Sequence, residues 1–119
     1  MTDWRRNIHV HKYKLQITEY AEQDLEEIGD YIANQLKNYD AAVKMMRGLR
    51  GEINTLSIAP ERHELDEDDM LAGIGVRKHY YKNYKIYYMV YEPNDAVIIL
   101  RILHMLVDSK AKIYRLFGV

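Results

Sequence analysis

Residues 75–104 read GVRKHYYKNYKIYYMVYEPNDAVIILRILH, three apolar and aromatic runs separated by two short turns. From Val76 to Leu103 the alternation of side-chain character predicts three strands joined as an antiparallel meander. Lys82-Asn83 supplies the first turn, because asparagine tolerates positive φ, and Glu92–Ala96, with Pro93 and Asn94-Asp95, supplies the second. Pairing about those turns sets Tyr84, Ile86, Tyr88 and Val90 opposite Ile98, Leu100 and Ile102 on a core face. The other face keeps Lys78, Tyr80, Lys85, Tyr87, Met89, Ile99 and Arg101, with Tyr87 across from Arg101. A slip of one residue would exchange the faces and bury Arg101 without a partner. Six of the eleven tyrosines lie between Tyr80 and Tyr91, so the polar face is aromatic as well as basic and suits an anionic ligand.

Upstream, Tyr13–Thr18 (YKLQIT) alternates and predicts a half-buried first strand. Thr18 caps a helix from Glu19 to about Asn38, with acidic residues at its positive end and Leu25, Ile28, Ile32 and Leu36 at helical spacing. Asp40 is expected to cap a second helix, whose stripe is Ala42, Met46, Leu49, Ile53 and Leu56 and which ends before Pro60. The short link at Lys37–Tyr39 makes the two an antiparallel hairpin. Glu61–Asp69 (ERHELDEDD) reads as a solvated acidic loop. It could also hold a metal through Glu64, Asp66, Asp68 and Asp69, but the glycine at the sixth position of a calcium loop is absent. Lys110–Phe117 predicts a short closing helix. The expected fold is α+β: N-terminal strand, antiparallel helix hairpin, then a three-strand antiparallel meander. One domain spans residues 1–119, with 1–12 an extension, 13–108 the core and 109–119 a tail or short helix.

The chain has 119 residues and no cysteine, which excludes disulfides and thiolate chemistry and points to a reducing, cytoplasmic setting. No apolar run approaches the roughly 20 residues of a membrane span, and Met1–Lys12 carries Trp4, Arg5, Arg6, His9 and His11 in place of an apolar signal core. The net charge of −1 conceals an asymmetry. Residues 1–73 hold 9 Lys/Arg against 15 Asp/Glu, a balance of −6, and residues 74–119 hold 8 against 3, a balance of +5. The strand-rich half is thus the one fitted to meet an acidic partner.

Several side chains carry two readings. Arg77, at the start of its strand, packs its stem and sends its head to the edge, or contacts phosphate. Lys78 and Lys85 are solvated sheet residues, or, with Arg101, Tyr80 and Tyr87, they hold phosphates and stack on bases. His104 ends the last strand, either as a packed histidine near Tyr84 or as a general acid or base. His9, His11, His63 and His79 have neither the spacing of a metal site nor a serine and carboxylate arranged around them.

Taken in order, YKLQIT, AEQDLEEIGDYIA, a second helix ending before a proline, GVRKHYYKNYKIYYMVY and VIILRILH resemble the RelE/ParE superfamily of toxins from bacterial type II toxin–antitoxin modules, which includes plasmid stabilisation proteins. The resemblance runs from Tyr13 to Asp108. It implies a helix hairpin on a twisted, mainly antiparallel sheet, a concave functional face and a cognate antitoxin that wraps it. RelE-like members are ribosome-dependent messenger-RNA endonucleases, and ParE-like members poison DNA gyrase. By resemblance Lys85 is the basic residue of the Tyr-basic-Ile-x-Tyr strand, Arg101 the arginine of the last strand and His104 its closing histidine. Tyr114 matches a tyrosine that some RelE-like nucleases place near their C-terminus. Val107 stands where the family often has an arginine before the aspartate, here Asp108.

Cleaving RNA through its 2′-hydroxyl requires a base, an acid for the leaving 5′-oxygen and cations for the developing charge, with no metal or other cofactor. The resemblance casts His104 as base or acid, Lys85 and Arg101 as charge stabilisers, and Arg77, Lys78, Tyr80, Tyr87 and Tyr114 as substrate contacts. Three readings follow: a messenger-RNA endonuclease on the ribosome, taken first, a gyrase inhibitor, and a non-toxic antitoxin-binding domain. A homodimer and a hetero-oligomer with the antitoxin are both left open.

Overall fold

The computed structural model describes residues 11–118. The expectations placed on Trp4, Arg5, Arg6 and His9 lie outside them. The elements are β1 (Lys14–Ile17), α1 (Glu19–Asp30), α2 (Tyr39–Thr55), α3 (Asp69–Ile74), β2 (Arg77–Tyr81), β3 (Tyr84–Tyr91), β4 (Ala96–His104) and α4 (Lys110–Leu116). Among the described residues no helix is long and apolar enough to cross a membrane.

β2, β3 and β4 form the expected antiparallel meander, turning at Lys82-Asn83 and Glu92–Asp95. The sheet as a whole is mixed, because β1 joins its far edge parallel to β4, giving the order β1-β4-β3-β2. β4 takes the centre since its run AVIILRILH is apolar toward both layers.

One irregularity corrects the predicted faces. Tyr87 pairs with Arg101 as expected, but Tyr88 pairs with Ile99, so Leu100 is the extra residue of a β-bulge. The parity of β4 reverses there. Val97 and Ile99 join Tyr84, Ile86, Tyr88 and Ile102 beneath α1 and α2, while Ile98 and Leu100 pass to the opposite layer.

α1 starts as read: the Thr18 hydroxyl accepts from Ala21 N (3.1 Å) and donates to Leu100 O (3.0 Å), tying the cap to the bulge. Its regular turns end at Asp30 and continue as a π-helical segment, Tyr31–Gln35. α2 is capped by Asn38, whose Oδ1 accepts from Ala41 N (3.0 Å), and not by Asp40, which lies inside the first turn.

The acidic stretch is also more than a loop. Pro60–Arg62 forms a single 3₁₀ turn, Leu65 bridges Arg77 at the outer edge of β2, and α3 follows, capped by Asp68 and closed by Gly75 at φ 99°. α3 and α4 cover the face that the sequence presents as open. Leu71, Val76, Tyr87, Leu100, Leu103 and Ile113 form a second apolar cluster there.

Candidate functional site

The roofed face changes the setting of the predicted substrate contacts. Tyr87 is only 3% exposed. The Lys78 side chain is 8% exposed, with its ammonium 2.5 Å from Glu67 Oε2. Burial pushes Lys78 down, but the Glu67 hydrogen bond and the fields of Tyr80 and Asp66 more than offset it, so its pKa stands above the ordinary lysine value. Tyr80 remains half exposed, its ring 6.0 Å from the Lys78 ammonium. Arg77 is held by main-chain acceptors, donating to Glu61 O (3.1 Å) and His63 O (2.7 Å).

Lys85 lines a cleft of about 440 Å³ between the acidic segment and α4, with Tyr87, Asp66, Asp68, Ser109 and Lys110. Its ammonium donates to Val107 O (3.1 Å) and lies 5.7 Å from the Tyr87 ring centre. Asp68 is the hub of the opposite wall, accepting from Tyr114 Oη (2.6 Å), Lys110 Nζ (2.9 Å) and Leu71 N (3.1 Å). Those hydrogen bonds, Tyr114 first, lower its pKa to about 2. The same contact raises Tyr114 above the ordinary phenol value. Tyr114 therefore latches α4 to α3.

Arg101 and His104 line a different cleft, of about 410 Å³, with Tyr31, Tyr84, Glu27 and Lys112. Arg101 forms a two-bond pair with Asp24, and the same carboxylate accepts from Ile102 N (2.9 Å). The pairing raises Arg101 further. β4 runs past the end of β1 here, so Asp24 satisfies an edge N–H that no strand covers.

His104 packs edge-on to Tyr84, with ring centres 5.5 Å apart. Its Nδ1 accepts from Leu106 N (3.2 Å), which places the proton of the neutral ring on Nε2. That tautomer is a donor at Nε2 and has its lone pair occupied. Of the three residues cast as catalytic, Lys85 thus faces one cleft and Arg101 and His104 the other, with Val107 in the wall of both.

Sequence reading missed Asp24, Glu67, Ser109 and Lys110, weighed Asp68 only as a metal ligand, and set His63 and His79 aside. An aspartate before an apolar run that ends at glycine is a cap signal, so Asp68 with Gly75 was within reach. Asp24 had no local signal. His63 stacks on His79 at 4.0 Å, His79 Nε2 lies 2.7 Å from Glu52 Oε2, and His63 Nε2 is buried without a partner among the described residues.

A short α+β chain with a helix pair on one face of a four-strand sheet and a small C-terminal helix on the other has the architecture of a RelE/ParE toxin. The chain belongs to the ParE toxin family, the toxins of the type II parDE toxin–antitoxin system, whose family model matches residues 15–108. No curated protein matches its sequence. Solved structures that share the fold include two toxin–antitoxin systems. The chromosomal ParDE system of P. aeruginosa aligns at TM-score 0.66 and 21% identity, over 79% of this chain and 97% of that one. The RelBE2 toxin–antitoxin complex of Mycobacterium tuberculosis aligns at TM-score 0.59 and 20% identity, over 78% and 91%.

Proposed function

We propose that this toxin acts by binding its target, DNA gyrase, and not by cutting RNA, and that a cognate antitoxin protein holds it inactive. The observation that carries this reading is the separation of the candidate catalytic groups. General acid–base catalysis requires groups within hydrogen-bond reach of one reacting atom, and an error of about 1 Å costs on the order of 100-fold. Here Lys85 is turned into one cleft, Arg101 is committed to Asp24, and His104 has its Nδ1 lone pair engaged in the other. Val107 adds no cation where the resemblance expects one. A binding surface needs none of these groups brought together, and the match to the ParE family model favours the same side.

The test is growth arrest by His104→Ala and Lys85→Ala beside two assays: primer extension on messages from arrested cells, and supercoiling by purified gyrase. Arrest that survives His104→Ala, intact messages and blocked supercoiling are expected. Cleaved messages, lost on His104→Ala, would establish the nuclease instead.

A further inference from the structure

A stretch of the chain already occupies the outer edge of β2. Lys78 N donates to Glu64 O (3.2 Å), Asp66 N donates to Val76 O (2.9 Å), and Leu65 bridges Arg77 between them. Glu67, with its side chain 85% exposed, then reaches Lys78 from the solvent side. Asp68 takes Lys110 and Tyr114. Residues 64–66 therefore sit on this edge as an extended peptide sits on a sheet, main chain to main chain, and Glu67 and Asp68, just before α3, set their carboxylates on Lys78 and Lys110.

The hold is shallow, and the edge is longer than the segment that covers it. Two main-chain bonds, two ion pairs with exposed members and the Tyr114–Asp68 hydrogen bond are each modest ties taken singly. Strand alternation makes the Tyr80 N–H point outward like that of Lys78, but the chain has turned away by then at Pro60–Arg62. A longer acidic strand would gain that rung and the half-exposed Tyr80 ring.

We propose that Glu64–Asp68 is a built-in competitor, an acidic strap that masks the β2 edge together with Lys78 and Lys110 until an acidic extended segment of a partner protein displaces it. The inference rests on the proposed function only in taking the ligand to be part of a protein. Nucleic acid is disfavoured because it cannot pair in register with strand N–H and C=O groups. Being in the same chain, the strap acts at an effective concentration on the order of millimolar, so a free segment prevails only by making more contacts or meeting a weakened strap.

The experiment uses a synthetic peptide copying residues 60–70, PERHELDEDDM, titrated against the purified full chain and against its Glu67→Gln/Asp68→Asn variant. The introduced asparagine still caps α3, and Lys78, Lys110 and Tyr114 stay intact for the incoming peptide. The peptide should bind the variant about tenfold or more tighter than the unaltered chain, and should lose binding when its acids become amides. Amide exchange at Asp66 and Lys78 reports the strap directly and should be faster in the variant before peptide is added. Equal affinity for the two proteins would overturn the proposal, as would a single-stranded oligonucleotide that binds the variant as tightly as the peptide. Should the double variant not fold, Glu67→Gln alone, at a largely exposed side chain, gives the same comparison. No gyrase or antitoxin is present, so failure here leaves the toxin reading standing, and growth arrest tests that separately.

Discussion

Arg101 and Asp24, 77 residues apart in sequence, meet through two parallel hydrogen bonds, Nε to Oδ2 at 2.7 Å and Nη2 to Oδ1 at 2.8 Å. The pair joins the first helix to the central strand one residue beyond its bulge. Removing one member of a mostly buried pair leaves the other charge desolvated, which costs about 3 kcal/mol or more. Arg101→Ala should therefore lower the unfolding free energy by that amount, read as a lower urea midpoint at unchanged slope. An unchanged midpoint would make the pair dispensable and free Arg101 for a role at a ligand.

Gly48 of α2 lies under the Tyr81 ring so closely that an added Cβ would stand 1.9 Å from the phenol oxygen. Gly48→Ala should destabilise the native chain, because the ring must leave its place. In a Tyr81→Ala background the same change should stabilise by up to about 1 kcal/mol, the helix propensity difference between the two residues. A double-mutant cycle by denaturant unfolding reads the reversal of sign. Additive effects would mean that the ring yields freely.

Acid should act on His63, just before the strap, and on Asp68 at different pH. Burial, then the neighbouring His79 and Arg62, lower His63 below its ordinary value of 6.5. The unfolded chain thus takes up this proton more readily than the folded one. The contribution is complete above pH 6.5 and is lost as pH falls through the lower folded value. Asp68, lowered from 3.8 to about 2, keeps its contribution above 3.8 and loses it as pH falls through about 2. The unfolding midpoint should fall first in mild acid while the Tyr114 latch persists. His63→Gln should remove that first slope, and its persistence would place the titration elsewhere.

Expressed alone, the chain should arrest bacterial growth, and the neighbouring reading frame should relieve the arrest if it encodes the antitoxin. Reversing the charges of Lys78 and Lys85 should weaken the toxin–antitoxin complex and its salt dependence together. Normal growth at verified soluble expression would favour the non-toxic reading.

The strands and the two long helices were legible because each rests on local information. Period-two alternation from Lys78 to Met89, the Thr18 cap and the Leu25–Ile32 stripe need no knowledge of what lies opposite. The pairing of Tyr87 with Arg101 was legible too, although it lies beyond the bulge from the Glu92–Asp95 turn. The register between that turn and the bulge was not. In AVIILRILH nearly every residue is apolar, so alternation is silent, and the displacement of Leu100 is decided by packing on both faces and by the Asp24 clamp.

The basic, aromatic character of one sheet face was likewise visible in the chain, but its accessibility was not. Whether Lys78 meets solvent, a ligand or Glu67 depends on where residues 64–74 and 110–116 come to lie. Those positions follow from burying Leu71 and Ile113 against Tyr87 and Leu103. The same holds for the grouping of Lys85, Arg101 and His104: all three stand on neighbouring strands, yet the wall at Val107 divides them between two clefts. A sequence carries the chemistry of its side chains and their order. Which of them share one volume of solvent is settled by long-range contacts that no local pattern encodes.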